Sequence, residues 1–304
     1  MAFIIVQGGA SLYKVDPSTG TATALTLPSG VTLSTTRKPK FAIMNQFVAM
    51  VNSPTRNLII DPEGTVRVMT PKPPVGPPTA ASGGAGAITG SIQLKMSFIV
   101  TSADGEIYTE SPLTQAGQVV TLATNSLAIS AAELSLDSIT ARRVYRNLNG
   151  GTTFYQLLDI DGNTIKTATS NASDTQLQLL PVDSGLLVAP PGTIGSSRMR
   201  NIVSWKSRLW GVGSDSQQVD TVVYSESRKV YAWPNSLVAY PTGQDQEGIV
   251  AFAARRDQLG VLKRDGLWQI TGSQSGSAGI SNPGIVQVVY GKAGCIAPDT
   301  VIVI

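Results

Sequence analysis

Apolar and polar residues alternate along much of this chain with a period of two. In SIQLKMSFIV, residues 91–100, every second position is apolar: Ile92, Leu94, Met96, Phe98 and Val100. That spacing predicts a half-buried strand. Short runs of similar character follow: QVVTLA, LAIS, ARRVYRNL, TFYQLLDI, TIKTATS and LQLL. Turn residues separate them, among them Asp104-Gly105, Asn149-Gly150-Gly151 and Asp161-Gly162-Asn163, and Asp-Gly is a favoured hairpin pair. About seven short strands at such intervals predict an immunoglobulin- or fibronectin-like sandwich. The Cys…Trp…Cys signature of antibody domains is missing. SAAELSLDSI admits one helical turn, with Ser130 and Glu133 as a capping box.

The two ends share a different pattern. LYKVDPSTGTATAL (12–25) and NLIIDPEGTVRVM (57–69) each run from an apolar strand through Asp-Pro and a glycine into a Thr/Val-rich strand. Proline pre-sets φ for a turn and glycine tolerates its left-handed position. GVLKRDGLWQITG (260–272) reads as a third hairpin. With Asp265-Gly266 as a two-residue turn, Arg264 faces Leu267, Lys263 faces Trp268 and Val261 faces Ile270. Val261, Lys263, Trp268 and Ile270 then share one face, and the Lys263 stem lies along the indole. Arg264 and Asp265 occupy the exposed tip. Recurrent hairpins with aromatic anchors predict β-propeller-like blades.

Proline and glycine divide the chain. PKPPVGPPTAASGGAGAITG (71–90) and VAPPGTIGSS (188–197) read as extended linkers. The expectation is an all-β protein: blades over 1–72, an inserted sandwich over 73–192 and further blades over 193–304.

Composition narrows the chemistry. Of 304 residues, 14% are charged and 42% hydrophobic, with 30 glycines and 18 prolines, which suits strands and turns and not a disordered chain. Histidine is absent and Cys295 is the single cysteine. That removes Ser-His-Asp and Cys-His nucleophile systems, the commonest metal ligand and any internal disulfide. The net charge of +3 predicts no nucleic-acid-binding stripe. TRKPK (36–40) and the two ARR runs (141–143, 254–256) read as solvated surface. The N-terminus lacks the basic region of a signal peptide, and no stretch reaches the length of a membrane helix.

Several motifs fail on inspection. DIDGN (159–163) has its glycine in the wrong place for a calcium loop and reads as a hairpin turn. GGAGAITG (83–90) has no Lys-Ser/Thr after it and reads as linker, not phosphate cradle. GSQSG (272–276) lacks nucleophile-elbow spacing. The triplet at Asn171 is a glycosylation acceptor only in a secreted chain. No catalytic, cofactor-binding or metal-ligating residue is predicted, and the chain is not expected to be an enzyme.

From residue 198 the order of elements carries a resemblance. MRNIVSWKSRLWGVG is followed by VVYSES, YAWPNS, EGIVAFAARRDQLGVLKRDGLWQITG and VQVVYGKAGCIAPDTV. With the earlier DGEIYTESPLTQ and RRVYRNLNGGTTFYQLLDI, this order resembles the nozzle proteins of short-tailed bacteriophages, also called tail tubular protein B-like or tail-stabilising proteins. The resemblance implies a structural virion protein of the tail. Copies would form a ring of six below the portal and adaptor, in contact with tail-fibre proteins, and genomic DNA would pass through the lumen at ejection. The family generally runs longer, and this chain stops at DTVIVI within an apparent strand, which would leave a propeller open. Trp205, Trp210, Tyr231 and Trp233 are candidate subunit-interface anchors, with blade core as the alternative. Arg37, Lys38, Lys40, Arg198 and Arg200 are candidates to face DNA, which a conduit should not grip. A receptor- or carbohydrate-binding tail module is the competing expectation, with YAWPN (231–235) as its aromatic platform.

Overall fold

The computed structural model describes residues 3–51, 56–101, 107–131, 135, 137, 139–181, 199–213, 221–233, 238–239, 248–264, 266–271, 284–288 and 295. The protein is almost all β, and the strands among the described residues group into six antiparallel sheets. It divides into two compact units: Met1–Met69 with Pro190–Ile304, and Thr70–Ala189.

In chain order, β1 (Ile4–Gly8), β2 (Ser11–Val15) and β3 (Ala22–Leu25) form a three-stranded meander. β4 (Lys40–Met44), β5 (Phe47–Val51), β6 (Leu58–Ile60) and β7 (Val66–Val68) form a four-stranded one. The second unit then supplies β8 (Thr79–Ile92), β9 (Leu94–Thr101), β10 (Ile107–Glu110), β11 (Val120–Ser130), β12 (Ala141–Asn147), β13 (Phe154–Asp161), β14 (Thr167–Ser170) and one short helix, α1 (Asp174–Leu177). The first unit resumes with β15 (Met199–Trp205), β16 (Arg208–Gly213), β17 (Val222–Tyr224) and β18 (Val238–Ala239). β19 (Ala251–Ala254), β20 (Gln258–Leu262), β21 (Leu267–Thr271) and β22 (Gly284–Val288) complete it. Both last groups are four-stranded meanders in sequence order.

The first unit is held by burial between these meanders. Leu12 of β2 shares a core with Val48, Met50, Leu58, Ile60, Val66 and Val68 of β5–β7. The opposite face of the β4–β7 sheet carries Ala49, Val51 and Ile59, also buried, and β4 and β5 pack against β15. On the far side of the β15–β18 sheet, Trp205, Trp210, Val212, Val222 and Tyr224 meet Leu259, Val261, Trp268 and Ile270 of β20 and β21. The four meanders therefore stack in chain order, each inner one apolar on both faces.

Turn chemistry follows the sequence closely. Asp16 accepts a bond from Gly20 N–H (2.8 Å) through its carbonyl, and Gly20 has φ +70°. Its carboxylate accepts from Ser18 N (2.8 Å) and Ser18 Oγ (2.6 Å), and those bonds hold its pKa below the ordinary value. Asp61 repeats the device, accepting from Gly64 N–H (2.9 Å) and, through its side chain, from Thr65 N–H (2.7 Å). The two turns are not equivalent in the repeat, however. The first joins β2 to β3, the second and third strands of its sheet; the other joins β6 to β7, the third and fourth. More regular are the first hairpins. Asn45-Gln46 and Lys206-Ser207 have positive φ at both residues (50° and 68°, 46° and 58°), the signature of type I′ turns.

The β20–β21 hairpin differs in register from expectation. Val261 pairs with Trp268, Leu262 with Leu267 and Leu259 with Ile270, and Lys263 N–H bonds Gly266 O at 2.9 Å. The shift is two residues, so every side chain keeps its face. Lys263 is fully buried with Nζ 4.9 Å from the Trp268 ring centroid, and Arg264 is exposed. Asp265 lies outside the described residues.

In the second unit, β10-β9-β12-β13 and β14-β11-β8 are two sheets around one core. Ile88 and Ile92 from β8, Leu94, Met96 and Phe98 from β9, and Leu122, Leu127 and Ile129 from β11 meet Val144, Leu157 and Ile160. SIQLKMSFIV, expected as one strand, serves both sheets. The chain changes sheet at Gln93, whose N–H bonds Asn147 Oδ1 (2.6 Å) and whose side chain bonds Gly117 O (2.9 Å). Alternation survives because both strands face the same core. Asp161-Gly162-Asn163 is likewise no hairpin, since β13 and β14 lie in different sheets. LQLL, expected as a strand, contributes Leu177 to α1, where Ser173 and Gln176 form a capping box and Leu177 is buried. The anticipated Asp104-Gly105 turn and the Ser130–Glu133 box involve residues outside those described.

The largest difference is the glycine-rich linker. Residues 79–92 form the longest strand among the described residues. Its glycines permit close approach: a methyl on Gly86 would overlap the Ser126 backbone nitrogen and Asn171 Oδ1, whereas one on Gly84 would touch nothing. Asn171 Oδ1 accepts from Ala87 N–H at 2.6 Å. Gly86→Ala should therefore destabilise the second unit by ~1–3 kcal/mol, and Gly84→Ala should stay within ~0.5 kcal/mol. Denaturant unfolding of the two variants checks this.

Candidate functional site

The cationic stretch at 36–40 lies beside the edge strands β1 and β4. Gln7 of β1 donates from Nε2 to Ser34 O (2.6 Å) and Gly9 O (2.9 Å). Ser34 Oγ accepts from the N–H groups of Thr36 (3.2 Å) and Arg37 (2.9 Å). These bonds pin the 34–39 loop along β1. They border a cleft of about 390 Å³ lined by Val6, Gln7, Thr36, Arg37, Lys38 and Phe41, among others. Arg37 and Lys38 are exposed, and Lys40 is half-buried at the start of β4. One wall is thus cationic and hydroxylated, the other apolar. No Asp, Glu, His or Cys lines it, and Lys38 is the amine in its wall. It can hold an anionic group with an apolar body.

Arg200 is not part of this cleft. Its guanidinium bonds Ile249 O at 2.6 Å, and neighbouring Asn201 bonds Val250 O at 3.2 Å, tying β15 to the segment before β19. Arg198 lies outside the described residues.

The four aromatic candidates are inside the chain and not on its surface. Trp210 and Trp233 are fully buried, and Trp205 and Tyr231 are 5% and 4% exposed. Trp205 Nε1 bonds Arg255 O (2.6 Å), Trp210 Nε1 bonds Trp205 O (3.0 Å) and Trp233 Nε1 bonds Val230 O (2.9 Å). Trp210 also stacks on Tyr224, with ring centroids 4.5 Å apart, and Tyr231 meets Phe47 edge-on at 5.6 Å. Each indole has its donor satisfied within the chain. They act as core between meanders.

A second cluster of charge escaped the sequence reading. ARR (141–143) was expected on solvated surface, yet Arg142 and Arg146 are fully buried and Arg143 is 7% exposed. The cause is β12, a central strand buried along its whole length. Arg142 and Arg146 flank Val144 on the core-facing side and extend beyond the core's ends. Arg142 bonds the carbonyls of Ile165 and Asn163, gripping the β13–β14 crossover. Arg146 reaches Asp174 at the start of α1, 2.6 Å away. Burial pulls both guanidinium pKa values down, and Asp174 partly offsets this for Arg146.

Arg143 points to the opposite face. It makes a two-pronged pair with Asp159 (2.8 Å each) and lies 3.7 Å from Glu110. Burial opposes its charge, but Asp159 and Glu110 outweigh that and raise its pKa. Glu110 Oε1 also accepts from Ser97 Oγ (2.5 Å) and Tyr145 OH (2.6 Å). The network crosses β9, β10, β12 and β13 and fixes their register. Ser97 is fully buried, so its hydroxyl cannot serve as a nucleophile. The readable sign was three arginines on both faces of one apolar strand.

Among the described residues, no three His, Cys, Asp or Glu side chains gather as a metal site, and no helix is long and apolar enough to cross a membrane. Cys295 is buried, its N–H bonded to Lys263 O at 2.8 Å. Compared with known protein families the chain matches none, and no curated protein matches it.

Arg143→Leu should cost ~3–5 kcal/mol, because it strands Glu110 without its cation. Arg256→Leu, at an exposed turn, should stay within ~0.5 kcal/mol. Equilibrium unfolding followed by tryptophan fluorescence and circular dichroism measures both.

Proposed function

We propose that this protein is a structural subunit of a bacteriophage tail, a nozzle-type component whose copies form a ring below the portal and adaptor and provide a conduit for DNA ejection. The observation that carries this reading is the architecture. Face-packed antiparallel meanders are interrupted by an inserted unit of two antiparallel sheets, which supports reading the meanders as propeller-like blades and the insert as an immunoglobulin- or fibronectin-like sandwich. The element order of residues 198–304 supports it, as set out above. The chemistry agrees with a passive part: no carboxylate, imidazole or thiol lines the cleft, and the buried charges of the second unit bind its strands together. In this reading Arg37 and Lys38, exposed beside the cleft, offer weak, screened contact to passing phosphates. Contact with tail-fibre proteins belongs to the same proposal.

The competing reading, a carbohydrate- or receptor-binding module, needs an exposed aromatic platform. Tyr231 and Trp233 are buried, which weighs against it.

Mass photometry of the purified protein, with negative-stain microscopy of the protein and of virions, tests the proposal. The expected result is a closed ring with a central hole, located on the tail axis. A stable monomer absent from that axis would overturn it.

A further inference from the structure

Several turns of the first unit meet along one edge of its sheets. Asn45, in the β4–β5 turn, donates from Nδ2 to Arg228 O (2.6 Å). Arg228 N–H donates to Ser207 O (2.7 Å), in the β15–β16 turn. Trp205, at the end of β15, donates from Nε1 to Arg255 O (2.6 Å), which opens the β19–β20 turn. The three hairpin turns and the 226–229 turn after β17 therefore lie side by side, in the order in which their sheets stack.

Cations gather on this edge from stretches far apart in sequence. Arg228, Lys229, Arg255 and Arg256 are exposed, and among the described residues none of the four enters an ion pair. Lys206 is half-buried, with Nζ 5.1 Å from the Trp205 ring centroid. The acids described in the same turns are Glu226, half-buried, and Asp257, exposed. The acidic turns at Asp16 and at Asp61–Glu63 belong to the first two meanders. The turns of the last two meanders thus form a net positive ridge.

The main chain of these turns is tied down while the charges are free to reach outward. Arg228 is bonded through both N–H and C=O, and so is Arg255, whose N–H donates to Gln258 O (2.8 Å). Held backbone lowers the ordering cost of a contact. Face-packed sheets lie ~10 Å apart, so neighbouring turns present charge at about that interval. Double-stranded nucleic acid carries one charge per ~1.7 Å of its axis, so several phosphates fit along the ridge. The arginine fork accepts phosphate oxygens in pairs. Trp205 and Trp210 beneath are buried, so the ridge has no aromatic platform for unpaired bases or for apolar side chains of a peptide. Its complement is a linear polyanion.

We propose that this ridge is a sequence-independent contact for the phosphate backbone of double-stranded nucleic acid. It is separate from the 36–40 stretch, which precedes β4 at the end opposite the β4–β5 turn. The contact is weak and screened by salt, because it consists of exposed charges with two acids among them. It stands on the placement of charge and holds with or without a ring.

Fluorescence anisotropy of the full chain with a labelled duplex of about 30 base pairs, between about 50 and 200 mM salt, tests this. Binding should follow log salt with a slope of about −3 to −5 and differ by no more than about twofold between duplex sequences. Two paired variants, Arg228→Asn with Lys229→Gln and Arg255→Gln with Arg256→Gln, are each checked for native circular dichroism and unfolding midpoint. Asparagine suits position 228, where φ is +61°. Each pair should weaken binding several-fold and flatten the slope by about one to two. Arg37→Gln with Lys38→Gln should leave both unchanged. Absence of binding at low salt, or an unchanged slope in both ridge pairs, would overturn the contact. An equal loss in the Arg37 and Lys38 pair would also overturn it, since net charge alone would then account for binding. Polyglutamate that binds more tightly than the duplex at equal charge would overturn nucleic acid as the occupant. A wild-type chain that binds duplex through the ridge yet stays monomeric, alone and with tail components, would support this contact and overturn the ring.

Discussion

The first unit depends on one constraint: a short antiparallel meander that is apolar on both faces cannot remain stable in water by itself. Three or four strands of two to seven residues bury too little alone. The solution is to stack them. Val48 and Met50 look one way from β5 while Ala49 and Val51 look the other, and all four are buried. The same holds for β16, where Trp210 and Val212 face one neighbour and Leu209 the opposite side. Every inner sheet is thus both core and support. The absence of a disulfide framework is consistent with stability drawn from these interfaces.

Polar groups then decide which stacking is allowed. The tryptophans carry a large apolar area, and the indole nitrogens of Trp205, Trp210 and Trp233 each find a backbone carbonyl close by. Asn45 Nδ2 donates to Arg228 O (2.6 Å), and Met199 N–H donates to Asn57 Oδ1 (2.9 Å). These bonds connect the β4–β7 sheet to the β15–β18 sheet in one register. Without them, an apolar face would accept several slides of its neighbour; with them, a slide would strand buried donors.

The second unit solves a related problem with arginine. Its core is an ordinary apolar one, but its central strand β12 carries a cation on each side of Val144 and another on the opposite face. Their partners are sequence-distant: Asp174 and the 163–165 carbonyls for one face, Asp159 and Glu110 for the other. Such ties add little net stability over apolar substitutes, yet they penalise every wrong crossover. A unit in which the chain changes sheets at Gln93 and again after Asp161 has many wrong crossovers to exclude.

The strands were legible because a period of two is local: Leu94, Met96 and Phe98 face one core whatever the neighbouring sheet does. The Asp-Pro-Gly turns were legible for the same reason, since Asp16 and Asp61 bond residues within five positions of themselves. Glycine misled, because residues 83–90 read as linker by composition and form a strand only where Ser126 and Asn171 come close. Arginine misled in ARR, because burial of a charge depends on partners that a linear reading cannot bring near. For the aromatic residues the sequence left interface and blade core both open, since a tryptophan on a strand fits either until its neighbour is known; burial within the chain is a tertiary fact. By itself, then, the sequence determined strands, turns and the lack of nucleophile-histidine chemistry, all set by residue type and near neighbours. Sheet membership and the buried ion network were decided only by tertiary structure, because each depends on which distant surfaces exclude water from one another.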